Sequence, residues 1–459
     1  LTCAVLKTPQ KNSMQRYILG SELRSFSQLY FVIKISISLF AVFSISTSTF
    51  CQSLGPELII IEDFQSVEIY PVGDPQSLAI IPLQEKERLH VSFDDLSANT
   101  QALNYTWVHC NKNWEPSGLI SSEYLDGFLE SQLPLSELCF NTYQAYSHIK
   151  SNLPEANCMP RISGNYYLVV FEDDPEDFLL QYPVVIVEQL AEIQSSIHRA
   201  MKMEQRETHQ EIDILADLTN LSVQNPFQDI QLSIIQNRNW MSMRSMAPRF
   251  LRNGYYDFNY NNGENAFSGG NVFRFADSKN IPVPTLRIRG FELKELWTAT
   301  VRNEKPRGID PFLFQEDARG GFSIRKQNSN IPETEADYVI LDIFLEDIEN
   351  SGHREIYVIG DFNQYRAIED CKLEYDPEEK AYRGLIRVKQ GYLEYTLAEK
   401  NQNQNGIPPW NLSWTEGNHW ECPNHYTSII YMREWGKRYD RVIACKKFFT
   451  NGNIGLSLN

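Results

Sequence analysis

The densest set of metal-ligating side chains in the sequence is His419-Trp-Glu-Cys422-Pro-Asn-His425, where one thiol lies between two imidazoles. Three such ligands can hold zinc if a fourth arrives from elsewhere. No companion His or Cys cluster accompanies them, so a polar loop is the favoured reading and no metal is assigned. His109-Cys110 pairs a potential nucleophile with a potential base. Adjacent residues of a strand point to opposite faces, which denies them the geometry a thiolate–imidazole pair needs. Carboxylates cluster at Asp94-Asp95 and between Glu172 and Asp177. Acid–base work requires two carboxyls facing each other across a cleft, whereas neighbours in a turn are simply solvated. The sequence holds no phosphate-cradling Gly-rich loop, no Gly-x-Ser-x-Gly elbow and no His-Glu-x-x-His. No catalytic residue, metal ligand or cofactor is therefore expected, and the chain is read as non-enzymatic.

The elements available to position any site are strands. Ile230, Leu232 and Ile234 alternate with Asp229, Gln231 and Ser233, and Leu393, Tyr395 and Leu397 alternate with Glu394 and Thr396. That period of two predicts strands with one covered face. Tyr167, Val169 and Phe171 lead through the acidic, proline-containing segment 172–177 into Phe178-Leu-Leu180, which reads as a hairpin. The runs Pro183–Val187 and Tyr338–Leu345 suit strands covered on both faces. Only Glu192 to Glu207 reads as a candidate helix. Tyr, Phe and Trp are abundant, at 23, 25 and 8 residues, and favour pleated, half-buried surfaces. The expected fold class is all-β, with tandem β-sandwich domains of Ig-like and early-Ig-like type.

Residues 1–51 read as a signal peptide. Lys7, Lys11, Arg16, Arg24 and Lys34 precede or flank the apolar stretch Ile35–Ile45, and small residues follow it. Cleavage is expected before Gln52, with Met14 as the initiator; a lipid anchor on Cys51 is disfavoured by the bulky Phe50. The expected domains are 52–188, 189–332 and 333–449, followed by a frayed tail at 450–459. Loss of the leader takes five cationic side chains and one anionic one, moving the formal charge from −17 to −21. So acidic a surface disfavours nucleic acid and anionic membranes and leaves basic protein surfaces as partners. Six cysteines remain: Cys110, Cys139, Cys158, Cys371, Cys422 and Cys445. An exported chain permits disulfides, but their pairing stays open.

Two resemblances add to this reading. Gly360-Asp-Phe-Asn-Gln-Tyr365 after the strand Glu355–Ile359, with Trp410, Trp414 and Trp420 beyond, resembles early-Ig-like sandwiches that include glycogen-binding modules. Those aromatic rings either fill the core or stack on sugars, and core filling is favoured. More extensively, Tyr70–Pro75, Tyr105–Trp114, Glu123–Phe128, Thr208–Asp213, Asn225–Ile230, Phe267–Asn271, Lys389–Tyr395 and Arg438–Arg441 in this order resemble plug proteins of the Bacteroidetes type IX secretion system. That resemblance implies a periplasmic protein, peripheral to the outer membrane, which docks on the periplasmic mouth of a giant translocon barrel. It would close the pore when no cargo passes. The loops carrying Asn111, Trp114, Glu123, Tyr124, Asp126, Gly127 and Phe128 are candidates for either structure or interface. The alternative function is a carbohydrate-binding protein of a glycan-utilisation system, with Trp410 and Trp414 as the sugar platform.

Overall fold

A computed structural model describes residues 55–83, 86–349, 352–401 and 409–450. The expected signal peptide, the Cys51 anchor site and residues 451–459 of the expected tail lie outside them. The architecture is all-β, as the alternation of apolar residues requires.

The first sandwich is built from two sheets. One runs Ile59–Ile60, Phe178–Val187, Gly164–Phe171, Asn104–Cys110, Glu130–Gln132, with Ile80–Pro82 joining Phe178–Val187 in parallel. The other runs Phe64–Pro71, Leu89–Asp95, Ser147–Leu153, Glu137–Leu138. Phe64, Phe93, Tyr105, Trp107, Tyr166, Leu168 and Val170 fill the space between them. The 167–171 and 178–180 hairpin pairs as its pattern requires, Tyr167 opposite Pro183 and Phe171 opposite Phe178.

The second sheet pair stacks directly on the first. A four-stranded sheet orders Arg244–Met246, Ile230–Gln236, His425–Met432, Arg441–Phe449. A five-stranded sheet places Glu192–Arg199 at the edge, beside His209–Asp217. Ile230, Leu232 and Ile234 face the core between these two sheets. The other face of the four-stranded sheet is covered too. Ile235, Ile429, Tyr431 and Val442 pack against Tyr167, Val169, Phe171, Val185 and Val187 of the first sandwich. Four sheets therefore lie in one stack, and the two central ones are buried on both faces. That explains why Ser233, read as solvent-facing, is fully buried, its hydroxyl 2.7 Å from that of Ser245.

A ten-stranded sheet forms the remaining sandwich, in the order Arg274–Asp277, Gly391–Lys400, Ile356–Ile359, Lys372–Asp376, Ala381–Lys389, Tyr338–Glu346, Trp297–Val301, Ile288–Leu293, with two short strands beside this path. It encloses Leu341, Ile343, Val358, Ile386, Tyr395 and Leu397. Leu393, Tyr395 and Leu397 point inwards as their spacing predicts. Glu394, on the opposite face, is buried as well and accepts N–H bonds from Ala318 and Gly320.

Strand pairing cuts across the expected boundaries. His425–Met432 leaves the C-terminal unit and pairs with Ile230–Gln236, and Arg441–Phe449 follows it as the next strand of that sheet. Arg274–Asp277 and Trp297–Val301, expected in the middle unit, pair with Gly391–Lys400 and Tyr338–Glu346. Alternation marks a strand but not its partner, and the partner is chosen by contacts hundreds of residues away. Glu192–Arg199 is a strand, not a helix, because its apolar residues cover the neighbouring strand through a full antiparallel ladder. Asp94 and Asp95 are also corrected: they end the strand Leu89–Asp95 and are buried, not solvated. The six cysteines are all free thiols.

Asp94 joins the first sandwich to the ten-stranded one. Its carboxylate lies 2.7 Å from His148 Nδ1, accepts from the Tyr338 hydroxyl at 2.6 Å and accepts from Lys389 Nζ at 2.6 Å. Lys389 is itself buried, donates to the Glu333 carbonyl and sits 4.2 Å above the Tyr146 ring. Burial pulls its pKa below the ordinary value, opposed by Asp94. Breaking one partner of a buried ion pair strands the other charge. Lys389→Ala should thus cost about 3–5 kcal/mol in urea unfolding, and Lys389→Met combined with Asp94→Asn should cost less than the single change. Half-buried Glu68 lies at the same junction, and burial raises its carboxyl from 4.5 to about 7. The folded chain therefore binds a proton there that the unfolded chain releases, so this group makes stability fall as pH rises from about 4.5 to 7. Glu68→Gln should flatten that decline in unfolding curves taken across the window.

Candidate interface

The two loops singled out in the sequence do different jobs. Asn111 is a turn organiser: its side-chain oxygen accepts from the backbone N–H groups of Asn113 at 2.8 Å and Glu115 at 3.1 Å. That turn holds Trp114 in the left-handed region, with φ 65°. The Trp114 ring is buried against Tyr167 and Trp240, at 5.5 and 5.4 Å between centroids, where the first two sandwiches meet. Glu123 accepts from the Ile120 backbone N–H at 3.0 Å and pairs with Arg438, and both contacts hold its carboxyl below the usual range. Tyr124 is buried beside His109 and Tyr166. Gly127 has φ 88°, and a Cβ there would meet the Asn157 carbonyl at 2.2 Å. Asp126, Gly127 and Phe128 are the three that are exposed, Asp126 beside Arg161 at 3.5 Å.

Phe128 opens an exposed apolar run that sequence reading passed over. Leu129, Leu135, Leu138, Phe140 and Tyr143 are all exposed, Leu135 at 74% and Phe140 at 70%. Their positions follow from topology. Glu130–Gln132 is the last strand of one sheet of the first sandwich and Glu137–Leu138 the last strand of the other. Four residues connect them, so both strands close the same side of the sandwich. Both pair on one side only, with Asn104–Thr106 and with Ser147–His148 respectively. Edge strands paired on one side only, next to exposed apolar side chains, offer a surface to another chain. The far end of the run is held by the ten-stranded sandwich, the Phe140 N–H donating to the Thr334 carbonyl at 2.9 Å and the Tyr143 ring lying against Trp297. The sequence signal was Leu133-Pro-Leu135-Ser-Glu-Leu138-Cys-Phe140, apolar residues around a proline with neither strand nor helix period.

The candidate chemical sets do not assemble. His109 packs into the core of the first sandwich and Cys110 into the layer shared with the second, on opposite faces. Burial lowers His109 to about 4 and raises Cys110 to about 12. Cys422 is buried, its thiol raised to about 12 and facing the Pro423 carbonyl; burial also lowers His419, and lowers His425 to about 4. Among the described residues these three do not gather to metal-binding distance; His198, Glu211 and Asp213 do.

The aromatic set is mainly structural. Asp361 pairs with Arg238 of the middle sandwich, and Gln364 meets the Tyr182 hydroxyl at 3.0 Å and the Val67 carbonyl at 3.2 Å, so Gly360–Tyr365 latches three sandwiches together. Trp414 packs in the ten-stranded core, with the Arg354 guanidinium 4.6 Å above its ring. Trp410 donates to the Tyr365 carbonyl at 3.0 Å and lines a cleft of about 360 Å³ with Phe267, Phe273 and Asn424.

Residues 64–188 match the family described as the type 9 secretion system plug protein 1st domain. That span covers almost the whole first sandwich, including the exposed edge. No curated protein matches the chain. Among solved structures, a crystal structure of a hypothetical protein from Parabacteroides merdae matches with TM-score 0.80 at 22% identity, over 86% of this chain and 99% of that one. At that identity the likeness is one of fold.

Exposed and buried positions of the two loops should respond differently to substitution. Leu135→Asp or Phe140→Asp should leave stability within ~0.5 kcal/mol of the parent, since neither side chain is packed. Trp114→Ala should cost about 3–5 kcal/mol by emptying the space between two sandwiches. Equilibrium unfolding of the three variants checks both.

Proposed function

We propose that this chain, whose residues 64–188 are assigned to the type 9 secretion plug family, is a non-enzymatic envelope component that docks on the periplasmic mouth of an outer-membrane translocon barrel and closes its pore between cargoes. The observation that carries the docking reading is the open side of the first sandwich, where two terminal strands and the apolar residues 128–143 lie together within the matched domain. A barrel wide enough to pass folded cargo leaks when empty, since such barrels reach about 36 strands. A stopper needs a broad surface that does not yield, and four stacked sheets tied to the ten-stranded sandwich by the ion pairs Asp94–Lys389 and Arg238–Asp361 supply one. Strand addition at an open edge, with apolar side chains reading the partner, is a recurrent mode of recognition.

A second reading rests on Trp410, whose ring lines the cleft between the middle and ten-stranded sandwiches among asparagine side chains. Aromatic faces beside amides suit a sugar ring. A glycan array with a hit that Trp410→Ala removes would replace the docking reading.

The direct experiment is affinity purification of the tagged chain from outer membranes in mild detergent. The parent should recover a very large barrel protein. The triple variant Leu135→Asp, Leu138→Asp, Phe140→Asp should recover at least about tenfold less, the loss expected when the apolar centre of an interface is charged. Equal recovery by parent and variant would remove this edge from the interface, and no barrel with either would remove the function.

A further inference from the structure

The edge strand Glu192–Arg199 and its neighbour His209–Asp217 carry a second polar centre, on strands that take no part in the docking edge. In the antiparallel register His198 stands opposite Glu211, and Ser196 opposite Asp213. The period of two then puts His198, Glu211 and Asp213 on one face. One ligand atom from each of the three lies within 4.8 Å of the others. His198 Nε2 is 2.8 Å from Asp213 Oδ2, while its Nδ1 is 2.8 Å from the Arg199 carbonyl. With a carbonyl at Nδ1 and a carboxylate at Nε2 the metal-free ring donates from both nitrogens, and the hydrogen bond to Asp213 raises its pKa to about 9. A cation would replace the Nε2 proton, while the Nδ1–H bond keeps the ring oriented as it does in metal-binding histidines. The Asp213 carboxylate is oriented by two amides, Asn259 Nδ2 at 3.0 Å and Asn265 Nδ2 at 3.1 Å.

Glu211 is the observation that a simple cross-strand ion pair leaves unexplained. It is 1% exposed. One of its oxygens accepts from the Met201 backbone N–H at 2.8 Å, and the other, Oε1, is buried without a hydrogen-bond partner. Burying a carboxylate oxygen with nothing to accept from is costly, and a cation would satisfy it.

We infer that His198, Glu211 and Asp213 form a site for a first-row divalent cation, Zn²⁺ above all, that clips the edge strand to its neighbour. One neutral imidazole and two carboxylates cancel a dication's charge. The imidazole favours zinc over calcium or magnesium, which prefer oxygen throughout. Zinc bonds of about 2.0–2.2 Å place ligand atoms roughly 3–4 Å apart, so modest side-chain closure suffices. His198 and Asp213 are partly exposed, which leaves the fourth position to water.

The test is calorimetric titration of Zn²⁺ into the untagged full chain after chelator stripping. One equivalent should bind, His198→Ala should abolish it, Glu211→Gln should weaken it roughly tenfold or more, and excess Ca²⁺ should not compete. Cobalt loading of the parent provides a readout that needs no variant: d–d bands without a thiolate charge-transfer band are expected from nitrogen and oxygen ligands. Absence of binding, unchanged binding in His198→Ala, or a thiolate band that places the metal at Cys422 would overturn the site.

Discussion

The carboxylate of Asp94 is the point on which the assembly of sandwiches turns. It is wholly buried, and two of its three partners, Tyr338 and Lys389, come from a different sandwich about 250 to 300 positions later in the chain. A desolvated charge is tolerable only when its partners are in place. The first and the ten-stranded sandwiches must therefore be docked whenever Asp94 is buried and charged. Arg238 with Asp361 does the same between the middle and ten-stranded units, and Glu188 with Arg441 between the first and the middle. Polar junctions of this kind add specificity of arrangement more than stability, because they penalise every arrangement except one.

Apolar packing works in the same direction. The sheet containing Gly164–Phe171 and the sheet containing Ile230–Gln236 each have a second covered face, so neither sandwich is complete without the other. Exchange of strands between the expected units reinforces this. The chain's last strands close the middle sandwich, and strands from its centre enter the ten-stranded sheet. Hinged motion between the sandwiches would have to open the shared apolar layer and separate the ion pairs of Asp94, Asp361 and Glu188, which is why the described body suits a role of shape and surface.

Against that rigid background the open side of the first sandwich stands out physically. Residues 128–143 combine short edge strands, each paired on one side only, with exposed leucine and phenylalanine, a combination that natural sheets usually avoid. The His198 centre lies on a different edge, in the middle sandwich, and bears on how that edge is held.

The sequence alone determined the all-β class, the strand positions with strict alternation, the 172–177 hairpin and the improbability of a His109–Cys110 pair, because these follow from local steric and facial rules. Resemblance of the motif series pointed to the plug family, and the match over the first domain bears on the same conclusion. Tertiary structure decided what local rules leave free: which strands pair, that Asp94 and Glu394 are buried among distant partners, that Trp114 is a packing residue while Leu135 and Phe140 face solvent, and that His198 meets Glu211 and Asp213. Each of these depends on contacts between residues far apart in the chain. A pattern of period two shows which side of a strand is apolar; only the neighbouring sheet determines whether the other side meets water, a partner charge or another core.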